Sequence, residues 1–379
     1  MMRRILVLDN EFNMGGKERV FVQYLAQVDR SRFHFAVCCL KEGGYFKDTL
    51  TGMGIPVYDG ILRHRFDALG FRGLARVLRA ERPDLIYTFS HPNTVIFSYL
   101  ARQQKLAPHF VVSYHAMGDT GGTRQVTPYL RPLLRRADAL LAVAEIQKDY
   151  LVETEGLPRE KIRVIHNGVD TSRFQPPAPA EREAIRDELG IGADDVAIIS
   201  VASLKPLKRI DALLGAAARL AKTGIALRVI IAGDGSERAA LEKLAAELGI
   251  AARVSFLGNR DDVERLLKAS DIFVLASRTE AFPNVVLEAM ATGLPVLTTD
   301  VGSVREMVET DASALLVKPG DDNALEAALQ RLAGDPGLRQ KLGRRGRDIV
   351  NERFRFDIMC AKREEMFEDV IANGTATHK

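Results

Sequence analysis

Glu280 and Glu288 stand eight positions apart in the run 277–302, Ser-Arg-Thr-Glu-Ala-Phe-Pro-Asn-Val-Val-Leu-Glu-Ala-Met-Ala-Thr-Gly-Leu-Pro-Val-Leu-Thr-Thr-Asp-Val-Gly. Two carboxylates so spaced suit either the acid and nucleophile of a hydrolase or acceptors for the hydroxyls of a polyol. A hydrolase needs them on opposite faces of one bond, which a single short segment does not provide, so hydroxyl binding is the better reading. Phe282-Pro283 cannot sit inside a helix, which leaves Glu280 in a loop. Asn284 is expected to cap a helix over 285–292 that Gly293 ends. Glu288 then lies one turn into that helix, where it either meets a ligand or simply steadies the helix dipole.

Other positions join this pair. Gly15-Gly16 close a loop, 10–16, that opens a helix near Lys17; glycines there form a plain turn or let a phosphate approach backbone N–H groups at a helix N-terminus. Gly233 and Gly235, in Gly-Asp-Gly-Ser after an apolar run, allow the same approach, with Asp234 and Ser236 read as turn and cap residues. Lys208, flanked by Lys205 and Arg209, follows another apolar run; it is solvated loop charge or a cation for a diphosphate leaving group. His115 ends a strand and is expected to emerge at a ligand-binding edge. His91 and His166 read as loop polarity. No clustered His, Cys or carboxylate set has metal-ligand spacing, so no metal is expected.

These residues need a scaffold. Short apolar runs at 4–8, 35–40, 85–89, 110–115, 139–144 and 162–165 alternate with helical stretches, which predicts a parallel sheet wrapped by helices. A second set, 196–202, 226–232, 254–256, 272–275 and 295–298, repeats the pattern, with helices over 209–222 and 237–248 among its connections. The expectation is an α/β protein of two Rossmann-like domains facing across a cleft, residues 1–174 and 181–356, joined by a proline-rich linker at 175–180. A helix over 357–372 is expected to cross back to the first domain, and the polar tail 373–379 to be disordered. A chain of 379 residues with 46% hydrophobic content is long enough for two cores. Cys38, Cys39 and Cys360 have no metal or redox spacing and suit a reducing, cytoplasmic setting. No apolar run is long enough to span a bilayer.

Taken together, these motifs resemble the retaining glycosyltransferases of the group 1 family, the fourth carbohydrate-active family, whose fold is GT-B. The likeness covers nearly the whole chain and rests above all on Glu280-x7-Glu288, with Gly15-Gly16, Asn167-Gly168-Val169-Asp170 and Phe256-Leu257-Gly258 beside it. The resemblance implies that Glu280 contacts donor-sugar hydroxyls and Glu288 the nucleotide ribose. It further implies that Phe282, Pro283, Asn284 and Val285 line the donor loop, that Gly233 and Leu257 adjoin the nucleotide, and that Gly15 and Gly16 approach the diphosphate. Lys208 matches a phosphate-binding lysine, and His115 a histidine beside the reacting sugar.

One departure stands out. Where the family usually has Gly-Arg-Leu, this chain has Ala202-Ser203-Leu204, so the charge of that arginine is absent unless Lys205 or Arg209 replaces it. The implied activity is metal-independent, retaining transfer from a UDP- or GDP-sugar to an acceptor hydroxyl. The implied setting is the synthesis of a surface polysaccharide, lipopolysaccharide or glycolipid. A nucleotide-sugar 2-epimerase and a non-catalytic sugar-nucleotide-binding protein are the alternatives. The first 175 residues carry 25 Lys and Arg against 18 Asp and Glu, the remainder 28 against 32. With the leucines and arginines of 129–136, this suggests a peripheral anionic-membrane contact or, equally, a buried helix with a charged face.

Overall fold

The computed structural model describes residues 2–13, 15–62, 70–115 and 126–373; the stretch 116–118 after His115 and the tail from 374 lie outside them. The chain forms two compact units, Met1–Asn167 with Asp357–Lys379, and Gly168–Phe356. The first is built on β1 (Arg3–Asp9), β2 (Phe33–Cys39), β3 (Val57–Tyr58), β4 (Leu85–Phe89), β5 (His109–Ser113), β6 (Ala139–Ala142) and β7 (Ile162–Val164). These strands pair in parallel in the order β3-β2-β1-β4-β5-β6-β7. The register sets Ile5 against Leu85 and Leu8 against Thr88. The second unit contains β8 (Val196–Val201), β9 (Leu227–Ala232), β10 (Val254–Phe256), β11 (Ile272–Leu275), β12 (Val296–Thr299) and β13 (Ala314–Val317), parallel in the order β10-β9-β8-β11-β12-β13.

Unbroken apolar runs explain both sheets. Ile5–Leu8 and Ile272–Leu275 are buried along their whole length, as strands covered by helices on both faces must be. The C-terminal helix, Phe356–Asn373, belongs to the first unit from Asp357 onward. Its Phe367 ring lies 5.5 Å from that of Tyr87 and 6.2 Å from that of Phe35. Arg363 of the same helix is 1% exposed, with its guanidinium over the rings of Phe21 (5.4 Å) and Tyr24 (5.0 Å).

Several expectations change. The division falls at Asn167–Gly168, and residues 175–180 lie inside the second unit, where Pro179 opens a helix, Pro179–Glu188. Proline at a first helical turn costs no hydrogen bond, so a proline-rich stretch need not be a linker. Residues before it are anchored there too: Phe174 is buried and Arg173 pairs with Glu264 at 2.7 Å. Asn284 is the first residue of the helix Asn284–Ala291 and Pro283 takes the cap position, so the Asn284 side chain does not serve as N-cap. Ser236 likewise lies ahead of the helix Arg238–Glu247, whose cap is Glu237. β5 stops at Ser113, leaving His115 beyond the strand.

In the segment 129–136, Leu130 and Leu134 are buried in the core of the first unit and Arg131 pairs with Glu155 at 3.2 Å. Leu130 and Leu134 are thus committed to the protein's own interior, and half-buried Leu133 packs against the same core. Among the described residues no helix is long and apolar enough to cross a membrane. All three cysteines are buried free thiols, and burial pushes Cys39 up to about 12.

Candidate active site

In an open parallel sheet, ligands bind beyond the carboxyl ends of the strands, where the strand order reverses. In the second unit that point lies between β8 and β11, because β8 has β9 on one side and β11 on the other. The loop after β8 carries Ser203 and Lys208, and the loop after β11 carries Glu280. They meet directly: Lys208 Nζ donates to Glu280 Oε1 at 2.6 Å. Ser277 Oγ donates to the same oxygen, also at 2.6 Å. The loops are also tied through backbone, Arg278 N–H donating to the Leu207 carbonyl at 2.8 Å. Both charged side chains keep some exposure, 24% for Lys208 and 11% for Glu280. Glu280 Oε2 has no hydrogen-bond partner among the described residues, so one oxygen is held and the other is open to a hydroxyl.

Glycines shape the supports. Gly302, after β12, has φ +53°, and a Cβ there would overlap the Glu280 carbonyl oxygen, so only glycine lets the Glu280 loop settle. Gly233 has φ +139°, and a Cβ there would overlap the Ala202 carbonyl oxygen. Its N–H donates to the Gly258 carbonyl at 2.7 Å, and Leu204 N–H to the Asp234 carbonyl at 2.9 Å. The loops after β8, β9 and β10 are thereby laced together. Gly233 allows this close approach between loops, a role distinct from the ligand approach that its position suggests. Leu257, half-buried, donates its N–H to the Ile231 carbonyl at 2.9 Å.

Phe282 is 7% exposed and packs 6.2 Å from Phe354, anchoring from behind the loop that carries Glu280. Pro283 is buried, while Asn284, Val285 and Glu288 are half-buried on the helix Asn284–Ala291. Of the two cations offered in place of the missing arginine, Arg209 is committed to Asp322 at 2.9 Å and Asp211 at 3.1 Å, with 12% of its side chain exposed. Lys205 is exposed and its ammonium has no partner among the described residues. Ser203 is exposed as well.

In the first unit the order reverses between β1 and β4. Gly15 caps the helix Gly16–Gln27, and a Cβ on Gly15 would overlap the Glu18 carboxylate. The positive end of this helix therefore already faces a carboxylate of its own. Lys17 Nζ bridges Asp9 and Glu18, 3.0 Å from each, and lies 4.3 Å from the Phe89 ring centre. Burial raises the pKa of Asp9 and of Glu18 despite the lysine; burial alone would lower Lys17, but the two carboxylates outweigh it and raise its pKa. Neither Asp9 nor Glu18 carries a spacing signal in the sequence; an aspartate ending a buried strand before a Gly-Gly turn was the available clue.

His115 is partly buried, 5.5 Å from the Phe89 ring, with Nε2 2.7 Å from Ser113 Oγ. Burial first, then the cations Arg363 and Lys17, push it down to about 3, so the imidazole is neutral at physiological pH.

The chain matches the glycosyl transferases group 1 family over residues 181–349 and glycosyltransferase family 4 over residues 14–173. It is 27% identical over 305 residues to N-acetyl-α-D-glucosaminyl L-malate synthase of Bacillus anthracis, covering 79% of this chain and 78% of that one. With D-inositol 3-phosphate glycosyltransferase of Nocardia farcinica it shares 37% over 225 residues, 57% of this chain and 49% of that one. The structure of Anabaena HepE in complex with UDP-glucose superposes with a TM-score of 0.82 at 24% identity, covering 97% of this chain and 99% of that one.

Proposed function

We propose, since the chain belongs to the group 1 glycosyltransferases, GT-B enzymes that transfer a sugar from a nucleotide sugar, that its transfer retains anomeric configuration and needs no metal. The acceptor in this reading is a hydroxyl of a glycan or lipid-linked glycan, in the synthesis of a surface polysaccharide, lipopolysaccharide or glycolipid. The observation that carries the reading is the Lys208–Glu280 pair at the reversal between β8 and β11.

In this reading Glu280 Oε2 accepts from a donor-sugar hydroxyl, while Oε1 stays fixed by Lys208 and Ser277. The remaining N–H groups of Lys208 meet the diphosphate, and exposed Lys205 adds the charge that Ser203 lacks. Glu288 holds the ribose. As the bond from the sugar C1 to the diphosphate oxygen breaks, that oxygen takes the acceptor's proton and the acceptor oxygen bonds C1 on the same face. Neutral His115 hydrogen-bonds the reacting sugar. At the carboxyl ends of β4 and β5, a cavity of about 430 Å³ is lined by Ser90, Pro92, Val95, Tyr114, Val126, Thr127 and Leu130. Among the described residues its walls carry no charge, which favours an acceptor whose bound portion is neutral and partly apolar.

The test begins with a screen of UDP- and GDP-sugars for a rise in melting temperature, because a ligand of the native state stabilises it by mass action. With the donor so found, K208A and E280A are each expected to lower transfer about 100-fold or more. Their melting temperatures should stay within a few degrees of wild type, because a partly exposed ion pair adds under about 1 kcal/mol. Near-wild-type turnover in both variants overturns the assignment, as does loss of transfer in a chelator.

A further inference from the structure

Ser113 is the last residue of β5, 0% exposed, two positions before His115. Its hydroxyl reaches Nε2 of the imidazole at 2.7 Å, its one side-chain hydrogen bond of ordinary geometry among the described residues. Tyr87 Oη, the other polar atom nearby, is buried and lies close enough to act on Ser113, but it makes no hydrogen bond of ordinary geometry. A buried hydroxyl proton left without an acceptor carries a desolvation penalty of about 1–3 kcal/mol. If the ring donated Nε2–H to Ser113, the serine proton would be left with only the poorly placed Tyr87 oxygen and would carry most of this penalty. If serine donates to Nε2, its proton is satisfied and the proton of a neutral ring must sit on Nδ1. Nδ1 in turn has no partner among the described residues.

We propose that Ser113 is a positioning residue for the transfer reaction: its hydroxyl donates to Nε2 of His115, fixing the ring proton on Nδ1 and presenting that nitrogen to the reacting sugar as a hydrogen-bond donor. The proposal rests on the role given to His115 above. The fully buried strand end holds the serine in place, and the Phe89 ring limits how the imidazole can turn. The neutral state follows from the surroundings: the charged groups acting on the ring are the cations Arg363, on the C-terminal helix, and Lys17, on the helix Gly16–Gln27, and both oppose protonation.

The full-length chain labelled with ¹⁵N-histidine tests this directly, with a His115→Asn sample identifying the His115 signals. At neutral pH, wild-type His115 should show the Nδ1–H tautomer. S113A, which removes only the hydroxyl, should shift the population toward the Nε2–H form that free imidazole prefers in water. A wild-type Nε2–H pattern, or an S113A spectrum unchanged at His115, overturns the proposal. Using the donor selected by thermal shift, S113A should lower kcat by about tenfold, the equivalent of one lost hydrogen bond, with KM for the donor within about twofold. S113T, which keeps a hydroxyl, should recover most of that kcat. Wild-type kcat in S113A overturns the positioning role alone, leaving the function standing if H115A abolishes transfer. Wild-type kcat in H115A overturns the role of His115 on which the proposal rests.

Discussion

Glu280 is shared by three chemistries at once: an ammonium and a hydroxyl hold Oε1, and Oε2 remains to accept from a ligand. The same economy governs His115, whose neutrality has a measurable consequence. Its folded pKa, about 3, lies below the 6.5 of an unperturbed histidine, so the unfolded chain binds the extra proton first. The stability tied to this ring is therefore complete above about pH 6.5 and falls as pH drops toward 3. Replacing His115 with asparagine removes that proton from the balance. Between pH 6.5 and 4 the melting temperature of wild type should fall more steeply than that of His115→Asn, and parallel curves would show that the ring does not resist protonation. Glu280, Glu288 and Lys208 were legible as candidates in the sequence because residue type and local spacing mark them, and the structure joins Lys208 to Glu280. Ser277 and Ser113 were not, since a serine becomes a hydrogen-bond partner only once a loop or strand end delivers it to one particular atom.

The loops do that delivery, and glycine decides whether they can. Gly302 permits the loop after β12 to pass against the Glu280 carbonyl, with Ser303 N–H donating to the Ala281 carbonyl at 3.3 Å. A Gly302→Ala chain meets both a backbone overlap and a positive φ, and the segment it overlaps is the loop that positions Glu280. The expected result is a loss of about 2 kcal/mol or more in stability together with weaker donor binding, read by chemical denaturation and by the thermal shift with nucleotide sugar. Wild-type behaviour on both measures would show that the loop relaxes freely. Such dependences lie beyond a sequence reading, which sees Gly302 only as another turn residue. One edge of each sheet was also hidden: Val57–Tyr58 is too short for any pattern, and Ala314–Val317 is an apolar run that periodicity alone cannot assign to strand or helix. The central strands were plain, because β-branched apolar runs that recur between helical stretches suit the buried middle of a parallel sheet and little else.

At the scale of the whole molecule, the two units differ in how the chain closes them. The second is continuous from Gly168 to Phe356, and its ends meet: Val169 N–H donates to the Phe354 carbonyl at 2.9 Å and Phe356 N–H to the Val169 carbonyl at 3.0 Å. The first is completed only when Asp357–Lys379 returns to it. That return buries Phe367 fully, and Met359, Met366 and Ile371 as well, and pairs Arg32 with Glu364 at 2.9 Å and Glu368 at 2.8 Å. Removing a buried phenylalanine alone costs about 3–5 kcal/mol, a large share of the 5–15 kcal/mol by which a typical domain is stable. A fragment spanning 168–356 is therefore expected to fold cooperatively. It should gain melting temperature with the donor nucleotide sugar, since Lys208, Glu280 and Glu288 all lie within it. A fragment spanning 1–167 should lack a cooperative transition and expose apolar surface, because the rings of Phe33, Phe35, Tyr24 and Tyr87 lose Phe367. Circular dichroism melts and dye binding on the two fragments decide the matter. A stable 1–167 fragment would reduce the C-terminal helix to a dispensable strap, and a 168–356 fragment that folds without responding to any nucleotide sugar would move donor recognition away from the Lys208–Glu280 pair.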